Sequence, residues 1–150
     1  MANILDAKKN MDSFNVVLLD PQRLLPTEEF IEERVIQIEQ DIIREGRWLK
    51  PILVERTSLI IMDGHHRREF ARRHSLRRVP CLLLDYSQVE LSSWRDEFDL
   101  HPEEVIARGL QRRLYPAKTT RHVVHAAADI LCHYPLSELE LKNVTYQGVE

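Results

Sequence analysis

The chain has 150 residues, which is the size of one domain with a substantial core. Hydrophobic residues make up 43% and charged residues 30% of the composition, and no apolar run approaches the length of a membrane span, which excludes a disordered or membrane-spanning chain. The net charge of -3 argues against a wholly basic DNA-binding body, although it says nothing about local basic patches.

The scarcity of cysteine and glycine excludes several kinds of site. The two cysteines, Cys81 and Cys132, are too few for a disulfide framework or a cysteine-based zinc site. The four glycines are too far apart for a Walker A loop or a dinucleotide-binding fingerprint. Residues 1–10 lack the apolar stretch of a signal peptide, so we expect a cytoplasmic protein.

The N-terminal part of the chain predicts a strand followed by a helix. We expect residues 1–12 to form a flexible arm and residues 13–150 to form one domain. Residues 14–19 predict a short strand. Thr27 is the predicted N-cap of the helix because acidic residues follow it, and Gly46 is the predicted C-cap. Apolar residues recur every three or four positions along one face of this helix: Ile31, Val35, Ile38 and Ile42.

The middle of the chain predicts a hairpin, a basic helix and a central strand. Residues 51–55 and 59–62 are short apolar runs separated by three polar residues, which is typical of a hairpin. A turn at residues 63–64 leads into a helix over 65–74. The run 79–84 is nearly all apolar, which favours a strand inside the sheet.

The C-terminal part predicts shorter elements. We expect a strand near 89–91 and a helix over 102–113, with proline in its first turn. Residues 115–122 are predicted to form a polar loop, 130–134 a strand, and the segment from Pro135 a short helix. Because strands and helices do not alternate strictly, the sequence predicts an α+β domain.

The motif Asp-Gly-His-His-Arg at residues 63–67 is the sharpest candidate for chemistry. It follows an apolar strand and begins a helix, where free N–H groups and the positive dipole end attract anions. Gly64 permits close approach of the backbone, and His65, His66 and Arg67 supply donors for phosphate oxygens. The alternative is an ordinary turn before a solvated basic helix. Adjacent histidines point apart on a helix and are poor joint metal ligands.

Three other features carry a second set of candidates. The segment Lys-Thr-Thr-Arg-His at 118–122 contains no acid, and it is either a clamp for phosphate or carboxylate or a solvated loop. Glu28 and Glu29 are either dipole partners of a helix start or, where one faces the anion site, a general base. Trp94 lies in a polar stretch as a lid over a ligand or as a core anchor.

Seven short blocks, in order, resemble the free L-serine kinases of the ParB/sulfiredoxin superfamily. The resemblance runs from about residue 16 to about residue 140. The blocks are Leu25-Pro-Thr-Glu-Glu29, Lys50-Pro-Ile-Leu-Val54, Met62-Asp-Gly-His-His-Arg67, Arg78-Val-Pro80, Asp85-Tyr86, Ser93-Trp-Arg95 and Tyr115-Pro-Ala-Lys-Thr-Thr-Arg-His122.

The resemblance implies a ParB/sulfiredoxin-like fold, with a small mixed sheet flanked by helices. It also implies transfer of a phosphoryl group from ATP or ADP to the hydroxyl of L-serine, giving O-phospho-L-serine. Glu28 matches the family's catalytic base. Thr27 stands where the family has a histidine, which leaves Glu29 as the second candidate for the base; it is otherwise expected to contact substrate.

The remaining roles are also carried by the resemblance. The residues that match the family's nucleotide-phosphate site are Gly64, His65, His66, Arg67, Lys118, Thr119 and Thr120. The residues expected beside the serine substrate are Trp94, Arg121 and His122. Mg²⁺ would be held mainly by the phosphates, and Asp63 would either bind it through water or orient His66.

Three alternatives compete with the kinase interpretation. A DNA-partition protein of the ParB type needs a helix-turn-helix region, and about 30 residues after Arg121 are too few for one. A sulfiredoxin needs a nucleophilic cysteine beside the phosphate turn, where His65 stands, and Cys81 lies in an apolar strand. The third is a non-catalytic nucleotide-binding or regulatory module. We expect no DNA or membrane partner, and the sequence leaves the oligomeric state open.

Overall fold

A four-stranded mixed sheet lies at the centre of the computed structural model, which describes residues 16–124 and 130–140. Its strands are β1 Val16–Leu19, β3 Ile52–Glu55, β4 Ile61–Asp63 and β5 Val79–Leu84. Their order in the sheet is β1-β5-β3-β4, so the predicted central strand, β5, is internal. Strands β3 and β5 are parallel, whereas the β1–β5 and β3–β4 pairs are antiparallel.

Two smaller strand pairs flank this sheet. Strand β2, Arg47–Trp48, pairs with β8, Tyr134–Pro135, and β6, Val89–Ser93, pairs with β7, Thr120–Val124. The prediction of a loop over 115–122 is therefore wrong from Thr120 onward. Pairing with β6 holds these residues in a strand, although the polar segment lacks the apolar alternation that would have indicated one. The predicted strand over 130–134 is also wrong except at its last residue, and residues 136–140 are helical as expected.

Besides the helical residues 136–140, three longer α-helices of the described part of the chain pack around the strands: α1 Glu32–Glu45, α2 His65–Arg73 and α3 Pro102–Gln111. Gly46 ends α1 in the left-handed conformation, with φ of 71°, which confirms the predicted C-cap. The predicted N-cap at Thr27 is wrong, because α1 begins five residues later, after Ile31. Thr27 is fully buried instead, and its hydroxyl donates to the carbonyl of Ile61 on β4.

The main core lies between the four-stranded sheet and helices α1 and α2. Its largest fully buried members include Trp48, Phe70 and Ile52. An ionic network joins the two helices on their outer side, where Arg73 of α2 pairs with both Glu69 and Glu32. The predicted arm over 1–12 lies outside the described residues. Among those described, no helix is long and apolar enough to cross a membrane.

The segment between β1 and α1 is fixed on two sides, and this brings distant parts of the chain together. On one side Leu25 pairs with β4, through bonds of 2.9 Å to the backbone of Leu59 and Ile61. On the other side the backbone of Tyr115 bonds to Thr27 and Glu29, at 2.8 and 2.9 Å. The fold thereby places the Glu28 loop, residues 27–31, between the β4–α2 turn and the segment that leads into β7.

Candidate active site

A cleft of about 590 Å³ opens where these three segments meet. Nine of the thirteen residues singled out from the sequence line it, although they come from four separate parts of the chain. These nine are Glu28, Asp63, Gly64, His65, His66, Arg67, Trp94, Lys118 and Thr120. The sequence predictions that the structure brings together are therefore the base candidate, the helix start, Trp94 and two of the five residues of the 118–122 segment.

The carboxylate of Glu28 is buried and firmly held. Its Oε1 accepts the backbone N–H of Lys118 at 3.1 Å, and its Oε2 accepts both the backbone N–H and the hydroxyl of Thr120. A carboxylate offers about four lone-pair directions, and three of them are used here. The group is fixed in orientation, with one acceptor direction left on Oε1.

The first turn of α2 presents its amides to the same cleft. The N–H groups of residues 65–67 precede the first intrahelical bond, which Arg68 makes to Gly64 at 2.9 Å. Gly64 has φ of 113°, and a Cβ there would lie 3.1 to 3.2 Å from Arg67 and Ile52. Glycine is required at this turn because both the conformation and the neighbouring side chains oppose any larger residue.

The two histidines of the motif direct their Nε2 atoms toward the Glu28 loop. His65 Nε2 accepts the backbone N–H of Thr27 at 3.0 Å and that of Glu28 at 3.3 Å. His66 Nε2 accepts the N–H of Ile31 at 3.0 Å. Burial, together with nearby positive charge, lowers the pKa of His65 to about 3, and burial also lowers the pKa of His66. Both rings are therefore neutral near pH 7.

The cations and the acid of the motif also have protein partners. Arg67 donates from Nη1 to the carbonyls of Lys50 and Pro51, at 2.6 and 2.9 Å, so its side chain ties α2 to the start of β3. The carboxylate of Asp63 lies 3.5 Å from the Arg67 guanidinium and remains 62% exposed at the cleft. The carboxylate of Asp63 is thus accessible to a ligand, whereas the guanidinium of Arg67 already donates hydrogen bonds to protein groups.

The 118–122 segment divides between the cleft and the protein interior. Thr119 is buried and donates its hydroxyl to the carbonyl of Pro116 at 2.6 Å. Arg121 lies outside the cleft lining, with its guanidinium 5.0 Å from the centre of the exposed Trp94 ring. His122 lies 2.9 Å from the hydroxyl of Tyr86, and burial lowers its pKa to about 4.

Glu29 also lies apart from the cleft. Its side chain is exposed, and it borders a smaller hollow of about 340 Å³ on the other side of the Glu28 loop, together with Phe30 and Leu114. The four residues that the structure leaves out of the cleft are therefore Glu29, Thr119, Arg121 and His122.

Sequence reasoning missed the wall of the cleft that α1 and β2 form. This wall combines apolar and charged side chains and extends away from Glu28: Arg34, Ile38, Asp41, Ile42, Glu45, Arg47, Trp48, Leu49 and Lys50. Its α1 members recur at helical spacing, and two of them, Ile38 and Ile42, belong to the apolar face predicted from the sequence. The pattern located the face but did not show that part of it borders a cavity.

The donor set of the cleft fits a magnesium ion held mainly by phosphates. The described residues contain no group of three histidine, cysteine or acidic side chains that would hold a metal ion by themselves. Mg²⁺ is commonly bound by one or two carboxylates together with substrate phosphates and water. The exposed carboxylate of Asp63, at the edge of the cleft, is the residue suited to that contribution.

Cys81 has none of the features of a reactive thiol. It is fully buried in β5, and burial raises its pKa to about 12. A nucleophilic cysteine needs a stabilised thiolate and access to substrate. The sulfiredoxin alternative therefore finds no support at this residue.

Comparisons with solved structures identify the architecture. A free serine kinase in complex with AMP matches with a TM-score of 0.76 at 15% identity, over 83% of this chain and 93% of that one. The chain has the fold of the free serine kinases. C-terminally truncated SbnI from Staphylococcus aureus matches with a TM-score of 0.73 at 14% identity, over 97% of both chains. At these identities the likeness concerns the fold alone.

Sequence relatives agree with this fold and confirm the resemblance carried by the motifs. A protein named ATP-dependent L-serine kinase from Desulfurococcus mucosus is 31% identical over 104 residues, which are 63% of this chain and 41% of the relative. A ParB-like protein from Sulfolobus acidocaldarius is 30% identical over 86 residues, 56% of this chain and 43% of the relative. The chain thus spans less than half the length of these relatives. No protein-family model matches it.

Proposed function

We propose that the protein is a free L-serine kinase that transfers a phosphoryl group from ATP or ADP to the serine hydroxyl, giving O-phospho-L-serine. The observation that carries the proposal is the placement of a buried, oriented carboxylate, Glu28, in the same cleft as the free amides of the α2 N-terminus. Relatives named as L-serine kinases support the choice of reaction, and they include both ATP-dependent and ADP-dependent proteins.

In this proposal Glu28 accepts the proton of the serine hydroxyl. Three of the four lone-pair directions of its carboxylate are satisfied, so Oε1 keeps one direction for the substrate. A carboxylate whose orientation is fixed before substrate arrives needs no reorganisation during the reaction. Proton transfer to a positioned base contributes about 10²- to 10⁴-fold in rate.

The helix start then binds the phosphates. The amides of residues 65–67 and the positive end of the α2 dipole stabilise anionic oxygens, and Lys118, which lines the same cleft, adds a cation. Mg²⁺ at Asp63 would neutralise further phosphate charge when bound. Phosphoryl transfer mostly requires positioning and charge stabilisation of this kind.

Trp94 is the residue that we assign to the serine end of the cleft. It is 63% exposed, it borders the cleft, and the Arg121 guanidinium stacks over its ring. An exposed tryptophan that lines the same cleft as Lys118 and Glu28 is suited to cover a small substrate and to limit access of water to the reacting phosphate. Arg121 then acts on substrate through the position of Trp94.

The decisive experiment follows O-phosphoserine directly by mass spectrometry, with L-serine, Mg²⁺ and either ATP or ADP. We expect product with at least one nucleotide, and omission of Mg²⁺ should abolish it. Absence of product with both nucleotides, while either nucleotide binds by calorimetry, would refute the kinase and leave the non-catalytic nucleotide-binding module.

Glu28→Gln tests the base. We expect turnover to fall at least 10²-fold while nucleotide affinity changes little, because the substitution removes proton acceptance and leaves the helix start intact. Glu90→Gln is the matched control, since Glu90 is an exposed carboxylate on β6 that faces away from the cleft lining. Comparable activity in Glu28→Gln and Glu90→Gln would exclude Glu28 as the base.

A further inference from the structure

The two histidines of the 63–67 motif accept backbone N–H groups of the Glu28 loop through Nε2, whereas a phosphate ligand would have to donate from that atom. We propose that His65 and His66 are positioning residues, which hold the two ends of the Glu28 loop through their Nε2 atoms and so set the place of the base relative to the α2 N-terminus. This inference deepens the proposed kinase function and rests on it for the role of Glu28.

His65 holds the first end of the loop. Its Nε2 accepts the N–H groups of Thr27 and Glu28, at 3.0 and 3.3 Å, so it contacts the backbone of the base residue itself. The Thr27 hydroxyl lies 3.2 Å from the same Nε2 and 3.2 Å from the Ile61 carbonyl that it bonds. The loop is therefore tied to both the first residue of β4 and the first residue of α2.

His66 holds the other end. Its Nε2 accepts the N–H of Ile31 at 3.0 Å, and Ile31 is the N-cap of α1. The Ile31 carbonyl in turn accepts the first helical N–H groups, from Arg34 and Val35 at 3.0 and 3.1 Å. Since α1 lacks a side-chain cap at this position, the His66 bond fixes where the loop ends and the helix begins.

Both contacts require the same chemical form of the ring. An Nε2 that accepts an N–H carries a lone pair, so each imidazole is neutral with its proton on Nδ1. The burial of the two rings and the positive charges around them, including Arg34 and Lys118 beside His66, favour this neutral form. In this form neither Nε2 has a proton to donate to a phosphate oxygen.

The arrangement couples two functions in adjacent residues. The backbone amides of residues 65 and 66 face the anion site at the start of α2, while their side chains reach the loop that carries Glu28. The separation between a bound phosphate and the base is therefore set by one short rigid unit. Misplacement of a reacting group by about 1 Å costs about 10²-fold in rate, so loss of this link should reduce turnover more than binding.

Two variants of His66 separate positioning from phosphate contact. His66→Gln keeps an acceptor oxygen near the place of Nε2, whereas His66→Leu has no acceptor. We expect His66→Leu to lower kcat by about 10- to 100-fold with the nucleotide Kd changed less than about threefold, and His66→Gln to recover most of kcat. An increased Kd with unchanged kcat in His66→Leu would overturn the proposal, because that is the signature of a phosphate ligand.

Hydrogen exchange of the Ile31 amide provides a readout that does not depend on activity. We expect this amide to exchange at least tenfold faster in His66→Leu than in the unmodified protein, and at nearly the original rate in His66→Gln. Equal protection in all three proteins would refute the positioning role even if the kinase assay succeeds. Changed protection in a protein without kinase activity would retain the link between His66 and the loop and refute the proposed kinase function instead.

Discussion

Replacing Thr120 with valine tests whether Glu28 is held as a buried carboxylate. The two side chains are 9% and 8% exposed, and the Thr120 hydroxyl donates to Glu28 Oε2. Valine has nearly the same shape and removes only this donor. A hydrogen bond to a charged group contributes about 1.5–3 kcal/mol, so we expect the free energy of unfolding to fall by that amount.

The neighbouring residue supplies the matched control. Thr119 is also buried, but its hydroxyl donates to the neutral carbonyl of Pro116. A bond between neutral groups contributes about 0.5–1.5 kcal/mol, so Thr119→Val should cost about 1 kcal/mol less than Thr120→Val. Urea unfolding of both variants, followed by circular dichroism, measures the difference.

A double-mutant cycle assigns the effect to the carboxylate. In a Glu28→Gln background the partner of Thr120 is neutral, so the cost of Thr120→Val should fall to about 0.5–1.5 kcal/mol. An equal cost for Thr119→Val and Thr120→Val, unchanged by Glu28→Gln, would show that Glu28 is not held as a charged group by this contact.

Three further predictions concern packing and charge. Gly109→Ala should lower the free energy of unfolding by about 1–3 kcal/mol, because the new Cβ would lie 2.5 Å from Ile60 Cγ2; a stabilised variant would contradict this. Gly64→Ala should weaken nucleotide binding measured by calorimetry, since the turn needs φ of 113°; unchanged affinity would contradict this. Burial lowers the pKa of His65 to about 3 and of His122 to about 4, so between pH 6.5 and 4 the unfolded chain binds protons that the folded chain does not. Stability should fall across that range by up to about 1.4 kcal/mol per pH unit for each histidine, and less steeply in His122→Gln, as urea unfolding at several pH values would show.

The elements with strong local patterns were predictable from the sequence. The hairpin at 51–62, the apolar central strand β5 and the helix that begins at Pro102 all appear where expected, because periodicity and turn residues determine them locally. The start of α1 was not predictable in this way. Thr27 has the residue type of an N-cap, yet its hydroxyl bonds to Ile61, 34 residues away, and no local pattern encodes that contact.

The sequence also indicated nine of the nineteen residues that line the cleft, and its order of motifs indicated the resemblance to free serine kinases. It could not distinguish residues of the 118–122 segment that face the cleft from those that face the interior. Pairing of β7 with β6 places Thr120 and His122 on one face and Arg121 on the other, because successive side chains of a strand point to opposite faces. Along that shared face Thr120 meets Glu28, and His122, two residues further on, meets Tyr86.

The sequence by itself determined which chemical groups are present: a glycine turn before a basic helix, a pair of acids, and a cationic segment without acids, within a chain of net charge -3. Only the tertiary structure decided which of them meet. Glu28 and Thr120 are 92 residues apart in the chain and share a hydrogen bond, because two distant segments pack on either side of one loop. The sequence also did not show that the Nε2 atoms of His65 and His66 point toward the Glu28 loop. The direction of a side chain depends on the backbone packed against it, which only the tertiary structure provides.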